Sequence, residues 1–260
     1  MNRGALNWIL GYLTILSIIF VFAISADATE LETSQLNGGQ QYWWQAEDFT
    51  SRDEAVMLLK DEPGSPLPDL PGALGDQYVV FKAADKTTAV EGSHFLEYKF
   101  SISKGGKYYI WVRTSWARVA GSRDHNSFYV QINGEPAAGA LTRHVNSISD
   151  ANWPSDFDPN NPWVWAGDSA QPVALQGQAG GGLSNGLAMD FIAGENTFMI
   201  YHREGDTDNS TMCADAVMIS TVDFVPTEAD YEQASLFAVE PMSKMAVTWA
   251  KLKARAMTKE

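Results

Sequence analysis

Residues 201–226, YHREGDTDNSTMCADAVMISTVDFVP, constrain the fold of this chain more than any other stretch. They read as a strand, a polar connection and a closing strand. The first strand, 197–202, is entered through a Gly-Glu-Asn turn at 194–196. The closing strand, 214–222, carries one carboxylate, Asp215, where polar sequence gives way to apolar. A carboxylate leaving water needs a metal, an arginine or backbone donors as compensation. The candidate counterpart lies upstream, in Trp44-Gln45-Ala46-Glu47. Meeting there, the opening and closing strands close a β-sandwich around an ion.

The rest of the 260-residue chain agrees with strands. Residues 42–49 form the opening strand, with Tyr42, Trp44 and Ala46 on one side and Trp43, Gln45 and Glu47 on the other. Residues 51–59 read as a short helix or a ragged strand. Four prolines mark 60–75 as a loop. Strands follow at 78–81, 95–102 and 108–114, and Lys104-Gly105-Gly106-Lys107 reads as a hairpin turn joining the last two. Residues 127–132 make a further strand ending in an Asn133-Gly134 turn. The long irregular stretch 141–185 is expected to hide a strand at 163–166, with another at 186–192. Forty-five per cent hydrophobic residues suffice for one sizeable core.

Both ends differ from this middle. Residues 1–28 have a weakly positive start, an uncharged run over 8–24 and Ala26-Asp27-Ala28 as a small-x-small site. This is the pattern of a cleaved signal peptide, with a retained anchor as the alternative. Residues 29–40 are polar and read as a flexible linker. At the other end, Met242, Met245, Ala246, Trp249, Leu252 and Ala256 recur at helical spacing in a tail over 227–260. Residues 242–260 carry a net charge of +4, leaving −18 on residues 29–241. The whole chain carries −14, which argues against nucleic acid, whose affinity comes from Lys and Arg neutralising phosphate. The single cysteine, Cys213, excludes an intramolecular disulfide.

Five motifs in order carry a resemblance. Gln45-Ala46-Glu47-Asp48-Phe49 opens the series. Gly106-Lys107-Tyr108 through Arg113 follows, then Val130-Gln131-Ile132-Asn133-Gly134, then Leu187 to Ile200 containing Ala193-Gly194-Glu195-Asn196. Arg203-Glu204-Gly205 with Ala214-Asp215-Ala216-Val217-Met218-Ile219 closes it. Over 41–226 the chain resembles carbohydrate-binding modules of the family 6 and 35 type. That resemblance implies an all-β, galactose-binding-like jelly roll of two antiparallel sheets. It also implies a structural calcium, with Gln45, Glu47 and Asp215 as oxygen ligands. Hard oxygen donors suit calcium, and residues two apart on a strand share a face.

The resemblance further implies sugar binding by loops at one end of the sandwich. Trp116, Trp163 and Trp165 are the candidate stacking rings; Asn209, and more weakly Arg118 and His144, are the candidate hydroxyl partners. Tryptophan is also a core residue, so each ring has a packing alternative. Asn209-Ser210-Thr211 is a glycosylation sequon as well. No Gly-x-Ser-x-Gly, His-Glu-x-x-His or P-loop motif is present. The expectation is a secreted or surface-held, non-catalytic protein that binds a polysaccharide or glycan. Membrane contact is expected only through an uncleaved N-terminal segment. The alternatives are a glycoside hydrolase or lyase, and an adhesive protein that binds another surface protein.

Overall fold

The computed structural model describes residues 28–65, 70–75, 77–82, 94–117, 127–137, 144–146, 163–168, 185–203 and 211–237. The strands are β1 (Glu32–Leu36), β2 (Gly39–Gln45), β3 (Ser51–Arg52), β4 (Met57–Leu59), β5 (Val79–Phe81), β6 (Phe95–Ile102), β7 (Gly106–Ala117), β8 (Ser127–Ile132), β9 (His144–Asn146), β10 (Val164–Asp168), β11 (Leu187–Phe191), β12 (Gly194–His202) and β13 (Thr211–Ser220). One helix, α1 (Glu228–Phe237), follows.

All pairings are antiparallel. The first sheet runs β1-β2-β13-β7, with β10 and β11 both on the far edge of β7 and β4-β5 attached to the start of β13. The second runs β3-β6-β12-β8-β9. The end of β10 pairs with β9, so this strand stitches the two sheets together. The result is the expected β-sandwich of jelly-roll type.

The core between the sheets is aromatic. Trp44 sits 5.0 Å from Phe100 and 5.7 Å from both Tyr98 and Phe198, ring centre to ring centre. Tyr42, Trp44 and Ala46 all face this core, as the alternation predicts. Trp43 faces the other side of the first sheet, with Trp111, Trp165, Ala216 and Met218, and α1 covers this second cluster through Tyr231 and Ala234.

Two expectations are corrected. Residues 29–40 are not a linker: β1 and β2 form a hairpin through Asn37 (φ 52°) and Gly38 (φ 77°), the paired positive angles that Asn-Gly supplies. Their polar side chains are structural. The buried Gln41 accepts hydrogen bonds from Ser34 Oγ and the Leu36 amide and donates to Ser220 Oγ, while Trp43 Nε1 donates to Ser34.

β6 and β7 are not a hairpin: β6 pairs with β3 and β12 in one sheet, and β7 pairs with β13, β10 and β11 in the other. The Gly-Gly segment is a corner between sheets. A Cβ on Gly105 would lie 2.6 Å from the Ala193 nitrogen and 2.9 Å from the Phe191 oxygen, so the close approach of two backbones requires glycine.

The 51–59 segment takes the ragged-strand form, β3 and β4. The helix observed is 228–237, upstream of the expected one. Thr227 caps it, its Oγ accepting from the Asp230 amide at 3.2 Å while Asp230 accepts from the Thr227 amide at 2.9 Å. The helical pattern over 242–257 and the apolar run over 8–24 lie outside the described residues. Thr29, the expected mature N-terminus, is docked: its amide donates to Lys99 O at 2.7 Å and its hydroxyl to Asp48 O at 2.9 Å.

Candidate functional site

The two ends of the sandwich meet. β13 bulges at Asp215: Ala214 opposes Thr114 and Ala216 opposes Arg113, leaving Asp215 as the extra residue. The Asp215 carbonyl accepts the Ala46 amide at 2.8 Å, directly beyond β2. The bulge turns the Asp215 side chain into a buried polar centre on the side of the first sheet away from the main core.

Arg113 fills that centre. It occupies the same side of β7 as Trp111 and is 1% exposed, against 0% for Asp215. One guanidinium nitrogen pairs with Asp215 Oδ2. The other donates to Gly72 O at 2.9 Å and pairs with Glu228 at the start of α1. The Leu74 amide also donates to Asp215 Oδ2, at 3.1 Å. The Trp163 ring lies against the guanidinium, 5.1 Å from its carbon, and Trp163 Nε1 donates to Pro71 O at 2.9 Å. Residues 70–75 thus form a strap laced over the ion pair. Gly75 (φ 72°) comes so close to Gln45 that a Cβ there would sit 2.5 Å from the amide nitrogen.

Two carboxylate oxygens remain unsatisfied in this region. Asp215 Oδ1 and Glu47 Oε2 are buried without a hydrogen-bond partner. Burial, with smaller contributions from the neighbouring Asp48 and Asp215 charges, pushes the Glu47 carboxyl up to about 8. Burial likewise raises Asp215 to about 6, against the pull of Arg113 and the Leu74 amide. Gln45 Nε2 donates to the Tyr231 hydroxyl at 3.0 Å.

The structure therefore sets the segment with Gln45 and Glu47 beside the Asp215 bulge and gives Asp215 an arginine as its first partner. Among the described residues, no three His, Cys, Asp or Glu side chains cluster closely enough to hold a metal ion by themselves. The donors on hand are two carboxylates with orphaned oxygens and one amide, a hard-oxygen set that fits calcium when carbonyls or waters complete the shell.

The candidate sugar residues separate. Trp163 and Trp165 are corrected to core side chains: they are 5% and 6% exposed, Trp163 packing on Tyr78 at 5.3 Å and Trp165 on Trp43 at 5.9 Å. A sugar needs an open ring face, and packing occupies theirs. Trp116 is the second-to-last residue of β7, its backbone opposite Met212. His144 begins β9, opposite Tyr129. Arg118 and Asn209 lie outside the described residues.

Strand register places the strand ends, however. Ala117 opposes Thr211, Phe81 opposes Met212, His202 opposes Phe128 and Ser127 opposes Asn146. The His202 amide donates to His94 O at 2.9 Å. The strand ends at Phe81, His94, Ala117, Ser127, His202 and Thr211 therefore lie together at one end of the sandwich.

Sequence reasoning missed Arg113, Glu228, Tyr231 and the 70–75 strap. A signal for Arg113 was present: an arginine inside Tyr-Tyr-Ile-Trp-Val-Arg-Thr is a charge within a buried strand, which demands a carboxylate.

The fold and its closing centre define a β-sandwich with an internal ion pair at the junction of its first and last main strands. No family model matches this sequence, and no curated protein matches it. Among solved structures, the chain is similar to a family 35 carbohydrate binding module from Clostridium thermocellum, at 15% identity and a TM-score of 0.40, over 69% of this chain and 98% of the other. It is also similar to the Podospora anserina GH26-CBM35 β-(1,4)-mannanase, at 16% identity and a TM-score of 0.35, over 72% of this chain. A third similarity is to the mosquito-larvicidal Cry4Aa toxin of Bacillus thuringiensis, at 11% identity and a TM-score of 0.37, over 72% of this chain and 24% of the toxin. The chain spans 28% of the mannanase's length.

Proposed function

We propose that this protein is a non-catalytic carbohydrate-binding module that works outside the cytoplasm and binds a polysaccharide or glycan through the loop end of its sandwich. The observation that carries this is the strand register. It gathers the strand ends Ala117, Ser127, His202 and Thr211 at the same end as Trp116, the last tryptophan of β7, and Arg118 and Asn209 are near neighbours in sequence of two of them. An aromatic ring stacks on the apolar face of a pyranose, and arginine and asparagine bond its hydroxyls. The motifs that resemble family 6 and 35 modules support the same reading, because each falls on or beside a strand of the sandwich.

A structural calcium ion at Gln45, Glu47 and Asp215 belongs to this proposal. The orphaned Glu47 Oε2 and Asp215 Oδ1 support it, since each buried oxygen otherwise lacks compensation. Calcium would supply positive charge to both carboxylates and pin the opening segment to the closing strand. Asp215 would keep Oδ2 on Arg113 and offer Oδ1.

Affinity gel electrophoresis against a panel of soluble polysaccharides tests the sugar reading. Retardation by at least one polysaccharide, lost in Trp116→Ala, is the expected result. Mobility unchanged across the panel, with capture of a surface protein instead, would favour the adhesive alternative. Release of reducing sugar would favour an enzyme.

A further inference from the structure

The C-terminal helix reaches the buried centre over the face of the first sheet that carries Trp43. Glu228, in its first turn, pairs with the same guanidinium that holds Asp215. Three residues on, the Tyr231 hydroxyl accepts a hydrogen bond from Gln45 Nε2. The helix is also held by packing: Tyr231 and Ala234 are buried in the Trp43 cluster, with the Tyr231 ring 6.0 Å from that of Trp43. Its polar contacts, through Glu228 and Tyr231, are made with Arg113 and Gln45, beside the orphaned oxygens of Glu47 and Asp215.

We propose that docking of α1 and binding of a divalent cation beside Glu47 and Asp215 are positively coupled, with Glu228 as the linking residue. This rests on the calcium reading above. Arg113 is a permanent positive charge against Asp215, and it opposes a second cation there. Docked, Glu228 pairs with the other guanidinium nitrogen and offsets that charge. With α1 docked the guanidinium has two carboxylate partners, Asp215 and Glu228; with α1 undocked it has one. A dication binds the docked state more tightly. By linkage, the cation holds the helix down by the same factor. Glu228 is a positioning residue here, acting on the cation through Arg113.

The test combines two readouts on the full chain. Calorimetric titration with calcium compares the parent with Glu228→Gln and Glu228→Asp. Hydrogen exchange of the amides of residues 228–237 is followed in calcium and in EGTA. The expected result is an affinity about tenfold weaker in Glu228→Gln, largely restored in Glu228→Asp. Exchange in α1 should be slower with calcium in the parent, and the difference smaller in Glu228→Gln. Equal calcium affinity in parent and Glu228→Gln, or exchange of α1 amides indifferent to calcium, overturns the coupling and leaves the cation site standing. A parent chain that binds no calcium overturns both.

Discussion

Arg113 on β7 and Asp215 in the bulge of β13 form an ion pair sealed from solvent, at 1% and 0% exposure. Removing water from both charges is costly, and the pair is retained because a strap, a helix and an aromatic ring complete its surroundings. Breaking it leaves a buried charge alone. Asp215→Ala is expected to lose about 3–5 kcal/mol in urea unfolding. Arg113→Met combined with Asp215→Leu, which removes both charges, should recover most of that loss.

Glu47 sets a pH dependence. Its folded carboxyl is raised to about 8 from an ordinary 4.5, so the folded state holds a proton that the unfolded state releases. Its contribution to stability is whole below about 4.5 and is lost as pH rises towards about 8. Asp215, raised to about 6, adds a loss of the same sign at lower pH. In EDTA, melting temperature should fall between pH 5 and 8, and Glu47→Gln should flatten the upper part of that fall. Calcium, which favours the ionised carboxyl, should flatten it too.

Trp163 and Trp116 are expected to separate stability from binding. Trp163 packs on Arg113 and Tyr78 and donates to Pro71 O. Trp163→Ala should cost about 3–5 kcal/mol, as large-to-small core changes do, with polysaccharide affinity kept at temperatures where the variant is folded. Trp116→Ala should abolish gel retardation. Parallel melting curves and affinity gels check the pair.

The sheet-to-sheet corner offers a sharper steric test. Gly105→Ala would thrust a methyl group to 2.6 Å from a backbone nitrogen of the β11–β12 turn, where no side-chain rotation relieves it. A loss of about 1–3 kcal/mol is expected from this overpacking. Gly134→Ala, whose Cβ would meet nothing within 4 Å, should show only the smaller cost of a positive φ (82°).

Much of this was legible before any coordinates. Alternation placed Tyr42, Trp44 and Ala46 against Trp43, and one carboxylate at a strand entrance pointed to the closing strand meeting the 44–47 stretch. Local signals failed where partners are distant. Lys104-Gly105-Gly106-Lys107 has hairpin chemistry, yet β6 and β7 find better partners in opposite sheets. Gln41 and Ser34 looked like linker residues because polarity suggests solvent, whereas here it serves a buried network tied to Ser220, far away in sequence. Trp163 and Trp165 resembled exposed platforms because nothing in their own stretch shows that Arg113 and Trp43 lie beneath them. Glu228 was hidden for the same reason: its partner is 115 residues away.

Nitrogen-labelled protein titrated with the oligosaccharide of the best-retarded polysaccharide tests the location of binding most directly. Amide shifts should concentrate at the loop end, on His94, Ala117, Ser127, His202 and Thr211, with Asn37, Asn133 and Gly194 at the far end unmoved. Shifts confined to the far end or to the α1-covered side of the first sheet, or none at saturating sugar, would contradict it.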